Sequence, residues 1–316
     1  MGGGCRLAPY AAVEMKSSTH GTRRGAAILL ALWALFLLSA MVISWALQID
    51  SRMTLSSNSN RVLEAEAMAS SGAELALAPE VESGSPLLRG SLGKEQTFQA
   101  RIVGEGGRLN LNWVLAGENP QRLQLLKNYL EVKGVDINER DHMMDCLLDF
   151  VDPDDLPRLN GAESSPDYHP KNAPLQRVEE MKRVKGWEKF TARKGWDDDF
   201  TLFSGGPIDL AWASRDVLLS LPGFNEQIVD RFLEYRRGPD GIDGTEDDPP
   251  FQSLDEVRLA IGFTPEQFAQ LSGLIGFKDP VMRVVSVGQS GNTSRTVEMI
   301  IRKSGATPQM IRWKEF

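Results

Sequence analysis

The chain has 316 residues, 41% of them apolar and 25% charged, with a net charge of -8. That supplies core material for one large domain or two modest ones. The acidity argues against nonspecific nucleic-acid binding, which needs a basic stripe to displace counterions from phosphates. Two cysteines, Cys5 and Cys146, flank the membrane segment described next, so no disulfide framework is expected. His20, His142 and His169 are too scattered for a metal or triad constellation, and no GxSxG, HExxH, P-loop or CxxC pattern occurs. No residue is a candidate for catalysis.

Residues 1–25 form a basic leader carrying Arg6, Lys16, Arg23 and Arg24. From Ala26 to Leu47 the chain is apolar and uncharged, and at ~1.5 Å per residue this run reaches roughly 33 Å, enough for a bilayer core of about 30 Å. Lys and Arg stay on the cytoplasmic side, so the leader is expected in the cytoplasm and everything after Leu47 outside the inner membrane. A secretory signal has an apolar core of only about 7–15 residues. Ser44-Trp45-Ala46 nevertheless leaves a cleaved leader open as the alternative.

From Gln48 to Leu77 there is no proline, and Gly72 is the one strong helix penalty. The helix is expected to continue to Pro79, whole or broken at the Ser56–Asn60 patch. Alternation follows: Phe98, Ala100 and Ile102 share one face of a strand, as do Leu109, Leu111 and Trp113, with Gly104, Gly106 and Gly107 at the turn between. Strands are expected again at 282–287, 295–303 and 310–316, with Ser290-Gly291-Asn292 as a hairpin turn.

Between these β regions the punctuation is helical. Asn119-Pro120 fits N-cap plus N1 of a helix carrying Leu123, Leu126 and Leu130 and closed at Gly134. Asn138 is the expected cap of a second helix stopped by Pro153, and Pro174 is expected to open a third that ends near Gly186. Ser253 with Glu256, and Thr264 with Gln267, read as capping boxes. Strands on both sides of a helical block most economically make one sheet with the block inserted. The expected fold is therefore α+β: a long N-terminal helix packed on an antiparallel sheet (48–118 and 281–316), with an all-α insertion at 119–280.

A basic leader ending in glycine, an apolar helix starting at the next residue and a sheet behind it resemble the type IV pilin and pseudopilin class. The run 147–155 (LLDFVDPDD), then Arg158-Leu159-Asn160-Gly161-Ala162-Glu163, Tyr168 and 171–175 (KNAPL), resembles the general secretion pathway protein K family. Those proteins are large minor pseudopilins of the type II secretion system, with a pilin-like domain carrying an inserted helical domain. The resemblance implies a non-enzymatic subunit that initiates and caps the periplasmic pseudopilus driving protein export. It implies cleavage by prepilin peptidase between Gly25 and Ala26 and methylation of Ala26. It also implies other minor pseudopilins in a tip complex, the major pseudopilin and the inner-membrane assembly platform as partners. Most pilins carry glutamate where this chain has Leu30, a residue consistent with a tip subunit that has no neighbour ahead of it; the plain alternative is one more membrane leucine.

Two further patterns bear on function. In the loop 238–249, Asp240, Asp243, Glu246, Asp247 and Asp248 crowd among glycines and prolines, a hard-oxygen set that suits Ca2+ or is simply a solvated acidic turn. Family members bind calcium in this helical domain, which favours Ca2+. Leu218–Phe224 with Ile228, Val229 and Phe232 resembles a helix-hairpin-helix, which opens the alternative of a membrane-anchored DNA-binding protein for DNA uptake. Glu226, Asp230 and Glu234 near that turn repel phosphates and favour a packing or protein-contact hairpin, with no nucleic-acid partner.

Overall fold

The computed structural model describes residues 21–304 and 307–316, so Cys5, His20 and the leader up to residue 20 lie outside the described residues. Helix α1 runs from Gly21 to Leu75 without interruption at Ser56–Asn60, as expected of a stretch with no proline. The chain divides into two units, one ending at Asn60 and one spanning Arg61–Phe316. In the first, the apolar side chains of 26–47 are exposed all round the helix, Leu30 and Trp45 among them.

In the second unit, β1 (Arg89–Leu92), β2 (Gln96–Gly104) and β3 (Leu109–Asn110) lead into α2 (Leu111–Leu115), α3 (Pro120–Val132) and α4 (Ile137–Val151). Then come α5 (Glu188–Thr191), β4 (Phe200–Thr201), β5 (Ile208–Asp209), α6 (Arg215–Ser220), α7 (Glu226–Arg236), α8 (Leu254–Ile261) and α9 (Pro265–Ala269). The chain ends with β6 (Ile275–Gly276), β7 (Val281–Ser290), β8 (Thr293–Arg302) and β9 (Gln309–Glu315).

The main sheet is antiparallel in the order β1-β2-β7-β8-β9, so the strands before and after the helical block pair directly, with Ile102 opposite Val284 and Val284 opposite Met299. Its buried face (Ala100, Ile102, Val284, Val297, Met299, Ile301) packs on Ala69 and Ala73 of α1 and on Ala76 just beyond it. The small residues set a close approach. A Cβ at Gly288 would overlap the Ala65 carbonyl and the Ala69 amide, and one at Gly72 would overlap the Ser286 hydroxyl. Gly72, a penalty for the helix alone, is what lets the helix lie against the sheet.

The helical lobe has its own core around Tyr129, Phe150, Trp187 and Phe200, with Tyr129 edge-on to Phe200 at 5.3 Å. The buried indole N–H of Trp187 donates to the Met143 carbonyl at 2.8 Å and the Tyr129 hydroxyl donates to Asp199 at 2.8 Å, so neither large ring leaves a polar atom unpaired. Leu109, Leu111, Val114 and Leu115, ahead of residue 119, also belong to this core.

Several sequence expectations change here. Leu109–Trp113 is not a strand of the main sheet: Leu109 and Asn110 alone pair with Phe200 and Thr201 in parallel, and the Asn110 side chain then caps α2 by accepting from the Trp113 amide at 3.2 Å. Asp136, not Asn138, caps α4, accepting from the Asn138 amide at 2.9 Å. Pro174 opens no helix, because Asn112 holds both backbone groups of Leu175, at 2.8 and 3.0 Å. Only a 3-10 segment, Val178–Arg183, follows. The Thr264 capping box is complete, whereas Glu256 turns to the Gln252 amide instead of back to Ser253.

Sheet and lobe are tied through one buried carboxylate. Glu105, at 0% exposure just after β2, accepts two bonds from Arg283 of β7 at 2.8 Å each, one from Arg108 at 2.9 Å and one from Thr201 of β4 at 2.5 Å. Burial raises its pKa, but the Arg283 bonds and the two guanidinium charges outweigh that and hold it below the ordinary carboxylate value.

Candidate functional sites: anchor helix and carboxylate clusters

Ala26 begins a charge-free helical stretch, and the segment from Ala26 is long and apolar enough to cross a membrane. Gly25 and Ala26 both lie within α1, and the Leu30 side chain is exposed on it. Apolar surface of this extent on a helix must be covered by lipid or by other helices.

The acidic loop sorts its carboxylates into two groups. Asp240, Asp247 and Asp248 bring one oxygen each within 4.8 Å of one another. Asp243 is turned away: it accepts from Arg236 at 2.8 Å and from Arg237 at 3.1 Å, which leaves it pinning α7 rather than joining the cluster. Glu246 is exposed and outside the cluster. The loop also spends oxygens on itself. Asp248 accepts from the Gly244 and Thr245 amides, Asp247 from Asp240 N and the Thr245 hydroxyl, and Asp240 from Ile242 N. Burial raises the pKa of Asp248, with Asp243 and Asp247 adding repulsion, whereas hydrogen bonds lower that of Asp247.

A second cluster was not singled out from the sequence. Asp152, Asp154 and Glu163 also place oxygens within 4.8 Å of one another. Here more of the oxygens are unclaimed: Asp152 Oδ1, both Glu163 oxygens and the nearby Asn172 Oδ1 are buried without a partner. Burial pushes the Glu163 pKa up, and Asp149, Asp152, Asp155 and Asp154 push the same way. The surroundings are rigid. Asp149, fully buried, binds Arg158 at 2.6 Å, Arg158 reaches Asp152 at 2.5 Å, and Asn172 Nδ2 donates to the Asp154 carbonyl at 3.0 Å. A Cβ at Gly161 would overlap Asp149 Oδ2. An all-oxygen set of buried orphan acceptors is the chemistry of a hard divalent cation. Its residues lie in the string 152–175 already quoted; wide spacing hid the cluster, since Glu163 comes after two turns of irregular chain.

The hairpin at Leu221–Phe224 is one of a pair. Gly223 between α6 and α7 and Gly262 between α8 and α9 take φ of +83° and +84°, and the following residues, Phe224 and Phe263, pack with centroids 5.0 Å apart. Asn225 caps α7 through the Ile228 amide at 3.0 Å. The carboxylates beyond the turn are engaged by Arg215, with Asp230 at 2.9 Å and Glu226 at 3.9 Å. Each hairpin turn thus packs its phenylalanine against the other.

With this geometry in view, residues 107–194 match the family described as type II secretion system (T2SS), protein K. Over that segment, the chain is similar to the type II secretion system protein K family. The match takes in the Asp152–Asp154–Glu163 cluster and ends before the acidic loop. A solved structure extends the likeness in fold. A chain of the GspK-GspI-GspJ complex from the type 2 secretion system of enterotoxigenic Escherichia coli aligns at a TM-score of 0.55 and 15% identity, covering 85% of this chain and 99% of that one. No curated protein matches the chain. The α+β architecture, with long helix, antiparallel sheet and helical lobe, is shared with that structure. The family match supports a type II secretion system component, and the N-terminal apolar helix is compatible with membrane anchoring.

Proposed function

We propose that the chain is a minor pseudopilin that initiates and caps the periplasmic pseudopilus of the type II secretion system. The observation that carries the reading is the combination in one chain of a fully exposed, uncharged apolar helix, an Ala/Gly-faced continuation seated on a sheet, and a protein K lobe. The action is mechanical. Ala26–Leu47 is stored in the inner membrane, with the leader cytoplasmic and the bulk periplasmic, and is then drawn into a bundle with the helices of other subunits. An unpaired carboxylate in that environment is costly, so Leu30 suits a subunit with none ahead of it. The lobe blocks addition above. The proposed partners are two further minor pseudopilins, counterparts of the GspI and GspJ named with the matched chain, then the major pseudopilin, the assembly platform and prepilin peptidase.

Processing tests the reading directly. N-terminal sequencing of the native membrane-fraction protein is expected to begin at N-methylated Ala26, after a cut behind Gly25. A retained initiator methionine, or loss of residues 26–47 to signal peptidase, overturns it.

Calcium fits the residues present. Asp152, Asp154 and Glu163, with Asn172, would hold one ion; the second candidate set, Asp240, Asp247 and Asp248, has fewer free oxygens. A bound Ca2+ supplies the positive charge that the crowded carboxylates lack. This chain's own contribution is to fix them: Arg158 restrains Asp152 and Asp149, and Asn172 ties down the Asp154 backbone.

A further inference from the structure

In a chain of net charge -8, one cleft carries five arginines against three aspartates, Asp198, Asp199 and Asp243. It measures about 350 Å³ and lies where the solvent face of β2 and β7 meets the start of the lobe, between Arg101, Arg108, Arg236, Arg237 and Arg283. Two of these are spent on structure. Arg283 is held by Glu105 and by Glu298 at 3.0 Å, and Arg236 by Asp243 and the carbonyls of Leu210 and Ala213. The others keep donors in hand. Arg237 reaches Asp243 only through Nε, Arg108 uses Nε and Nη1, and Arg101 is exposed with no hydrogen bond or ion pair among the described residues.

The cleft is preformed. Its wall is the half-buried indole of Trp212, seated against Gly104 and Gly107, where any Cβ would overlap the indole ring or the Trp212 carbonyl. Burial first, and then the neighbouring Arg283 charge, lower the pKa of Arg108, against the pull of Glu105, Glu298 and Asp199. An anion placed there relieves that repulsion and meets unspent, planar N–H forks, the geometry that suits carboxylates.

We propose that this cleft binds an acidic peptide segment of a partner protein, gripping a carboxylate side chain with Arg101, Arg108 and Arg237. Two features favour a peptide over a free inorganic anion. The indole offers an apolar wall that side-chain methylenes cover and a phosphate cannot. Asp198 on the lining has a carboxylate with no hydrogen bond or ion pair among the described residues, which repels a dianion but accepts a backbone N–H. The volume admits one or two side chains, not a folded surface. The proposal does not depend on the pseudopilus reading.

The test uses the full chain in detergent micelles and a fluorescein-labelled (Gly-Glu)4 peptide, read by anisotropy. Arg101→Glu is expected to weaken binding at least about ten-fold and Arg101→Gln less, in the same direction. Lys94→Glu, an equally exposed charge reversal in the β1–β2 turn, leaves binding unchanged. Raising salt from about 0.05 M to about 0.5 M weakens the wild type by screening, and the (Gly-Gln)4 peptide does not bind. Both Arg101 variants keep the wild-type circular dichroism spectrum, since the side chain holds nothing in place. Equal binding by wild type and Arg101→Glu overturns the proposal. So does displacement of the peptide by about 1 mM inorganic phosphate, which would mark a small-anion site.

Discussion

Glu105→Ala removes a side chain that touches β7, β4 and the entry to the lobe together. The mutation leaves Arg283 with Glu298 alone and Arg108 with the Asp198 carbonyl alone, two guanidinium groups facing each other across the space a carboxylate had filled. Breaking a buried ion pair by deleting one partner costs about 3–5 kcal/mol. Because Glu298 still serves Arg283, and Arg108 is partly exposed, the lower part of that range applies, about 3–4 kcal/mol. For a unit of this size each kcal/mol lowers Tm by about 2–4 °C, so a drop of roughly 10 °C is expected in thermal unfolding followed by circular dichroism. Glu105→Gln keeps the shape and part of the hydrogen bonding and falls between the two. The pH dependence supplies a separate check. The folded-state pKa of Glu105 lies below its ordinary value near 4.5, so its contribution is present above that pH and is lost as pH falls through the lower folded value. The gap between wild type and Glu105→Gln should therefore narrow on acidification from about pH 6 to about pH 3. A loss under about 1 kcal/mol for Glu105→Ala, the range of exposed pairs, refutes the latch.

Two further substitutions separate structural carboxylates from cation-holding ones. Glu163 has a raised folded pKa, so its contribution is present at low pH and lost as pH rises; at neutral pH without Ca2+, Glu163→Gln should raise Tm while abolishing the increase that Ca2+ gives the wild type over EDTA. A variant that still gains wild-type stability from Ca2+ shows that Glu163 does not hold the ion. Asp243→Asn should destabilise by about 3 kcal/mol, because it strips the charge partner from Arg236, only 4% exposed, yet leave Ca2+ affinity by calorimetry unchanged; a Ca2+ affinity that falls at least about ten-fold would return Asp243 to the ligand set.

The parts of the fold that were legible are those where local chemistry and tertiary demand coincide. Asn119-Pro120 and Gly134 bracket α3 because a cap, a fixed φ and a left-handed glycine act within a few residues of the helix. The strand face at 98–102 was visible because one side of it is buried on α1. The misreadings share a different cause. Leu109, Leu111 and Trp113 alternate as a strand does, but Asn110 has partners 94 residues away at Ser204 and three residues away at Trp113, and those bonds fold the segment into a cap. Pro174 failed as a helix start because Asn112 claims the Leu175 backbone from 63 residues upstream. Long-range side-chain hydrogen bonds to backbone leave no periodic trace.

The same asymmetry explains why the acidic loop drew attention first and the second cluster carries the stronger case for a cation. Density of carboxylates along the chain marks the loop 240–248, yet a tight loop must satisfy its own amides, and Asp240, Asp247 and Asp248 do much of that work themselves. At 152–163 the chain is spread out and its amides are served differently: Asp149 takes the Arg158 amide and Asp154 takes that of Leu156. Asp152 Oδ1 and the Glu163 oxygens are thus left buried with lone pairs pointing at nothing in the protein. A buried acceptor without a donor costs about 1–3 kcal/mol, more when charged. On the calcium proposal, a cation joining three such atoms at one place, among Asp149, Asp152, Asp154 and Asp155, would stabilise the fold, which is why the Glu163→Gln experiment distinguishes a built site from an acidic surface.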